Sequence, residues 1–123
     1  MSVVKAWWTV AGWMIVMAVI TSWPHLHAPA NMPYADKAVH VTEYAVFAWL
    51  TFRAGTRLGW NLSRIWPAVV LVCVALAGLD ELHQVIVPGR EASFGDFAFN
   101  VIGFCLGTMM ALMRYGRTKT DEI

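Results

Sequence analysis

Charge is what this sequence has least of. Its 123 residues include 8 Asp or Glu and 9 Lys or Arg, 14% of the chain, where an ordinary soluble domain carries about 25%. The formal net charge of +1 excludes a nucleic-acid binder that relies on bulk positive charge. Cysteine is nearly missing as well: Cys73 and Cys105 are the only two, too few for a secreted disulfide scaffold. No C-x-x-C, H-E-x-x-H, P-loop or Rossmann fingerprint occurs, and there is no internal repeat, low-complexity segment or collagen period. Hydrophobic residues fill the space instead, at 59% with a mean hydropathy of +0.55. That excludes intrinsic disorder. It also misfits a small soluble domain, which buries only about two-thirds of its surface and needs polar residues over the rest. The composition fits a membrane protein, with lipid as the second solvent.

A membrane-crossing helix needs about 20 mostly apolar residues. Four segments qualify, at about 6–23, 34–52, 65–87 and 94–113. The expected fold is therefore an all-α membrane protein with four transmembrane helices, in one domain over residues 1–123. Basic residues orient it, since cytoplasmic loops collect Lys and Arg. With the N-terminus inside, the inner side carries Lys5, Arg53, Arg57, Arg64, Arg114, Arg117 and Lys119, and the outer side only Lys37 and Arg90. Both termini are expected in the cytoplasm. Trp7, Trp8, Trp60 and Trp66 then fall at the inner interface and Trp23 at the outer one, as an aromatic belt requires. The loop from Pro24 to Pro33 contains Ala28-Pro29-Ala30, a pattern signal peptidase could read. The long, Trp-rich run before it favours a retained helix. Both cysteines fall mid-span and are expected to be small buried residues.

The acids are distributed unevenly. Asp121 and Glu122 lie in the tail, and the other six are Asp36, Glu43, Asp80, Glu81, Glu91 and Asp96. In the expected topology all six lie at or just inside the outer helix ends. Six acids and two bases, Lys37 and Arg90, leave that layer at −4 with His neutral. Ionisable groups at membrane depth are costly, so they must face one another, water or a ligand. At about 100° per residue, Asp36, His40 and Glu43 share one arc of the second helix, with Tyr44 at its edge. On the third helix Asp80 and Glu81 bracket Gln84, beside His83. On the fourth, Asp96, Asn100, Gly103 and Gly107 form one stripe, polar outside and small within. Gly103 and Gly107 have the G-x-x-x-G spacing that lets another helix approach closely. Pro88-Gly89-Arg90 makes a tight turn that presents Arg90 to the same layer. The picture is an outward-opening polar pocket with a dry floor at Gly103, Gly107 and Ala77, and with the first helix as a lipid-facing flank.

Simpler roles compete for each group. Asp36 could start a helix, and Ser93 or Asp96 could cap one. His40 could merely bond a neighbouring helix, and Gln84 and Asn100 could be interhelical glue. His25-x-His27 alone is a weak metal signal. The adjacent Asp80 and Glu81 are hardest to explain as structure, because neighbouring carboxylates repel unless a cation, Arg90 or a proton intervenes.

The series Asp36-Lys37-x-x-His40-x-x-x-Tyr44, Asp80-Glu81-x-x-Gln84, Pro88-Gly89-Arg90 and Asp96-x-x-x-Asn100-x-x-Gly103-x-x-x-Gly107 resembles the VanZ-like family of small bacterial membrane proteins. The resemblance covers residues 36–107. Val41 departs from it, since an aromatic residue often follows the histidine. What it implies is a multi-pass protein of the bacterial inner membrane, related to a founding member associated with teicoplanin resistance. It supplies no catalytic residue.

Four functions of different classes follow. The first is recognition of a cell-envelope ligand, a lipid-linked cell-wall precursor or a glycopeptide, through Asp36, Lys37, His40, Glu43, Tyr44, Asp80, Glu81, Gln84, Arg90, Asp96 and Asn100. The bases would pair with phosphate or carboxylate. The second is an enzyme acting on a lipid head group, with Asp80, Glu81 and His40 as catalytic candidates. No cofactor is predicted, although Asp80, Glu81 and Asp96 could hold a divalent cation through oxygen. The third is a proton or cation pathway. It is weakened by the lack of charge on the inner halves of the second and third helices before Arg53 and Arg64. The fourth is a structural bundle without chemistry. Membrane lipids are expected partners and nucleic acid is not. A homo-oligomer could form, with the Gly103/Gly107 face as a contact.

Overall fold

The computed structural model describes residues 1–23, 31–32 and 34–120, with side chains as far as residue 116. The Ala28-Pro29-Ala30 pattern, His25 and His27, and the tail acids Asp121 and Glu122 lie outside them. The described residues form four helices: α1 (Val3–Thr21), α2 (Ala35–Arg57), α3 (Leu62–Ile86) and α4 (Phe94–Thr120).

Local chemistry sets the ends. Ser2 Oγ accepts from the Lys5 N–H at 3.3 Å and caps α1. Asn61 does the same for α3, accepting from the Arg64 N–H at 3.2 Å. Between them α2 stops in a Schellman turn: the Trp60 N–H donates to the Gly55 carbonyl, the Gly59 N–H to the Thr56 carbonyl, and Gly59 takes φ 71°. At the far end of α3, Pro88 follows the last helical residues and Gly89 turns the chain with φ 76°.

Three helices, Val3–Thr21, Leu62–Ile86 and Phe94–Gly116, are long and apolar enough to cross a membrane. The expected fourth, α2, is not among them, because Asp36, Lys37, Glu43, Arg53 and Arg57 interrupt its apolar run. Yet α2 is the centre of the bundle. It touches all three other helices, and most extensively α4. Its Tyr44, Phe47, Ala48 and Phe52 pack with Val10 and Met17 of α1, Ile65, Val69, Cys73 and Ala77 of α3, and Phe104 and Ala111 of α4. The apolar residues left exposed lie mainly on the outer helices, such as Trp8 and Ile15 on α1, Leu71 and Ile86 on α3, and Met109 and Met113 on α4. A soluble bundle would bury these; lipid is the solvent they suit.

The α2–α4 contact is the closest in the fold. A Cβ placed on Gly103 would lie 2.9 Å from Val41 Cα, and one on Gly107 would lie 2.8 Å from Ala45 Cα. The glycine stripe is therefore filled from within the chain, and the expectation that it offers a contact to a second copy is corrected. Cys105 also differs from expectation: it is exposed on the outside of α4, while Cys73 is buried.

Candidate functional site

The i, i+4, i+7 spacing of Asp36, His40 and Glu43 points all three from α2 toward α3 and α4, and the glycine stripe brings α4 close enough to meet them. Lys37 stands between two carboxylates. Its Nζ lies 2.9 Å from Asp36 Oδ2 and pairs with Asp96 Oδ1 across the interface. One turn deeper, His40 Nδ1 bonds Asn100 Oδ1 at 2.9 Å, and Nε2 lies 3.7 Å from Asp96 Oδ2. With Nδ1 held by Asn100, Nε2 faces the acid. Below this layer Tyr44, Cys73, Ala77, Asn100 and Phe104 close together.

Helix α3 supplies the other wall. Glu81 Oε2 accepts the Ser93 N–H at 2.9 Å, and Ser93 Oγ accepts the Asp96 N–H at 3.4 Å. Glu81 thus fixes the turn that starts α4, and Ser93 is the cap. Asp80 lies beside Thr21 of α1 and within the electrostatic reach of His40, His83 and Arg90. Glu43 is within the electrostatic reach of Arg90 as well. Gln84, one turn on from Asp80 and Glu81 on α3, is fully buried.

The site takes more from α1 than its sequence promised. Trp13 Nε1 donates to the Glu43 carbonyl at 2.9 Å. Ser22 Oγ and His83 Nε2 are 2.9 Å apart, and Thr21 is buried against α3. Helix α1 is a wall of the bundle and not merely a lipid-facing flank. The available signal was weak: Thr21 and Ser22 put two hydroxyls at the outer end of an otherwise apolar helix.

Buried polar groups are usually hydrogen-bonded. Elsewhere in this bundle they are: Thr51 and Thr108 donate to Phe47 and Phe104 carbonyls, each at 2.8 Å. The exceptions collect in the acidic layer. Both Glu43 carboxylate oxygens lack a partner among the described residues, as do both polar atoms of the Gln84 side chain, Tyr44 Oη, Asp80 Oδ2, Glu81 Oε1, Asp36 Oδ1 and Asn100 Nδ2. Most of these are acceptors, so the layer is suited to a group rich in N–H or O–H donors. Among the described residues, no three His, Cys, Asp or Glu side chains come together as a metal site. Of the three acids considered for one, Asp96 is engaged by Lys37 and Glu81 by the Ser93 backbone. Beside Lys37, on the outside of α2 and α4, a groove of about 440 Å³ runs between Tyr34, Ala38, Val41, Thr42 and Phe99.

Residues 3–115 match the family model described as VanZ/LLP1. The chain belongs to the VanZ-like family. The match reaches beyond the 36–107 signature to take in α1, in keeping with the structural part that helix plays. No curated protein and no solved structure matches the chain. For this VanZ-like membrane protein, the site must be interpreted from its own chemistry.

Proposed function

We propose that this VanZ-like protein is a multi-pass protein of the bacterial inner membrane that recognises a polar, donor-rich part of a cell-envelope ligand, either a lipid-linked cell-wall precursor or a glycopeptide. In this reading α2 is the fourth span, its charges shielded by the other three helices, and both termini are cytoplasmic. The acidic layer then lies at the outer leaflet, where such ligands meet the membrane. The observation that carries the reading is Glu43. The residue is 3% exposed with neither carboxylate oxygen bonded among the described residues, and a buried carboxylate without partners is expensive. A ligand hydroxyl or amine entering the layer would recover that cost. The groove beside Lys37 would take the ligand's apolar part.

A second reading is favoured by His40. A ring held at Nδ1 by Asn100, with Nε2 toward Asp96, is arranged like an oriented general base. An enzyme acting on a lipid head group would use it together with Asp80 or Glu81.

The test is thermal stability of the detergent-purified chain titrated with a lipid-linked precursor and with a glycopeptide. Saturable stabilisation that disappears in Glu43→Gln, with that variant still folded, supports recognition. No response to either ligand class sinks it. Turnover of the precursor, abolished in His40→Ala, would move the enzyme reading ahead.

A further inference from the structure

At the end of the bundle away from the acidic layer, α1, α2 and α3 wall a cavity of about 240 Å³. Helical spacing sets it. Its lining positions are 7, 10, 11 and 14 on α1 and 65, 68, 69 and 72 on α3, the same i, i+3, i+4, i+7 stripe on each helix. Positions 47, 51 and 55 of α2 form the back wall. The two stripes carry small side chains at Ala11 and Ala68, and α1 and α3 meet only sparsely. Small side chains on helices that barely touch leave the space between them unfilled.

The lining is apolar. Its one hydroxyl, on Thr51, donates to the Phe47 carbonyl at 2.8 Å. Among the described residues no charged side chain lines the cavity, and Trp7 and Trp60 supply its only side-chain N–H groups. A water held in such a space needs about two to four polar partners, which this lining does not offer. Leaving it empty forfeits dispersion contacts along three helices, and native interiors hold few voids larger than a water. An apolar cavity of about 150 Å³ already takes up benzene, so this one calls for hydrocarbon. The mouth says which hydrocarbon. Trp7, Met14 and Val72 line the cavity and are also exposed, so its wall runs without a break into the lipid-facing surface of α1 and α3.

We propose that this cavity holds one acyl chain of a membrane phospholipid. The stretch from Trp7 to Met14 covers about 10 Å along α1, enough for part of a chain whose remainder lies in the bilayer. Indoles favour the boundary between hydrocarbon and head groups, so the N–H groups of Trp7 and Trp60 are suited to donate to the chain's ester carbonyl. A chain seated there supplies the contact that α1 and α3 lack and braces α1 against the bundle. The site is distinct from the acidic layer and does not depend on its function.

The experiment reconstitutes the full chain in bilayers that contain phosphatidylcholine with a photoactivatable diazirine on one acyl chain. After irradiation, labelled residues are located by mass spectrometry. Ile15 and Leu71 are exposed, meet bulk lipid in any case and serve as the reference. Phe47 and Val69 are buried, so adducts there require a chain inside the cavity. Support comes from adducts at Phe47, Thr51 or Val69 that fall at least tenfold, relative to Leu71, in Ala68→Phe, which fills the space. The same adducts should be unchanged in Ala75→Phe, on the exposed side of α3. Ala11→Leu fills the space from the opposite wall and repeats the test if Ala68→Phe does not fold. Adducts confined to exterior residues of the folded wild-type chain overturn the proposal. Labelling of the buried residues that is equal in Ala68→Phe and Ala75→Phe overturns it as well.

Discussion

Replacing Gly107 with alanine tests the seam on which the acidic layer depends. The new methyl carbon would lie 2.8 Å from Ala45 Cα and 2.7 Å from the Ala45 carbonyl carbon, about 1 Å inside ordinary carbon–carbon contact. The obstacle is backbone, so no rotamer change relieves it, and the two helices must move apart. Overpacking of this kind costs about 1–3 kcal/mol, and a rigid neighbour places it near the upper end. Alanine also returns about 1 kcal/mol through its better helix propensity. The net loss expected is about 2 kcal/mol. Gly78→Ala is the matched control, because a Cβ there meets nothing within 4 Å; it should gain up to about 1 kcal/mol. Reversible denaturation in mixed micelles should therefore separate the two variants by about 3 kcal/mol, the sum of these two effects. Separating the helices must also stretch the His40–Asn100 and Lys37–Asp96 pairs, so Gly107→Ala should weaken ligand binding at a position that touches no ligand. Equal stability of Gly107→Ala and Gly78→Ala would refute the backbone contact.

Three further outcomes are expected. Lys37→Met leaves the Asp36 and Asp96 carboxylates facing each other without a cation. With Lys37 26% and Asp96 10% exposed, the loss should fall between that of surface and buried pairs, about 2 kcal/mol, and Asp96→Asn in the same chain should recover most of it in the same denaturation assay. Trp13→Phe removes the hydrogen bond to the Glu43 carbonyl and should cost about 1 kcal/mol; no change in melting temperature would mean that α1 does not brace the site. In a background free of Cys73 and Cys105, cysteines placed at Ser2 and Leu58 should react with an impermeant thiol reagent from one side of the membrane, and those at Asn31 and Glu91 from the other. Labelling of Leu58 and Asn31 from the same side would show that α2 does not cross.

Helix number, approximate helix positions and the membrane class were legible in the sequence because they rest on local properties: apolar run length, prolines and glycines at the turns, and capping residues such as Ser2 and Asn61. The polar stripe of α4 was equally legible, since helical periodicity alone puts Asp96, Asn100, Gly103 and Gly107 in line. Which surface those glycines meet was not, because a G-x-x-x-G spacing says only that some helix can approach. The tertiary structure assigned it to Val41 and Ala45 of the same chain. Pairing across helices was likewise settled by packing. Nothing local says that Lys37 bonds Asp96, that Glu81 holds the Ser93 backbone, or that Trp13 reaches Glu43, since those partners lie 59, 12 and 30 residues apart. The sequence by itself determined which residues are too polar for lipid and on which helical faces they lie. Only the fold decided which of them satisfy one another and which, Glu43 and Gln84 above all, are buried without a partner among the described residues, because burial and hydrogen bonding depend on where distant segments meet.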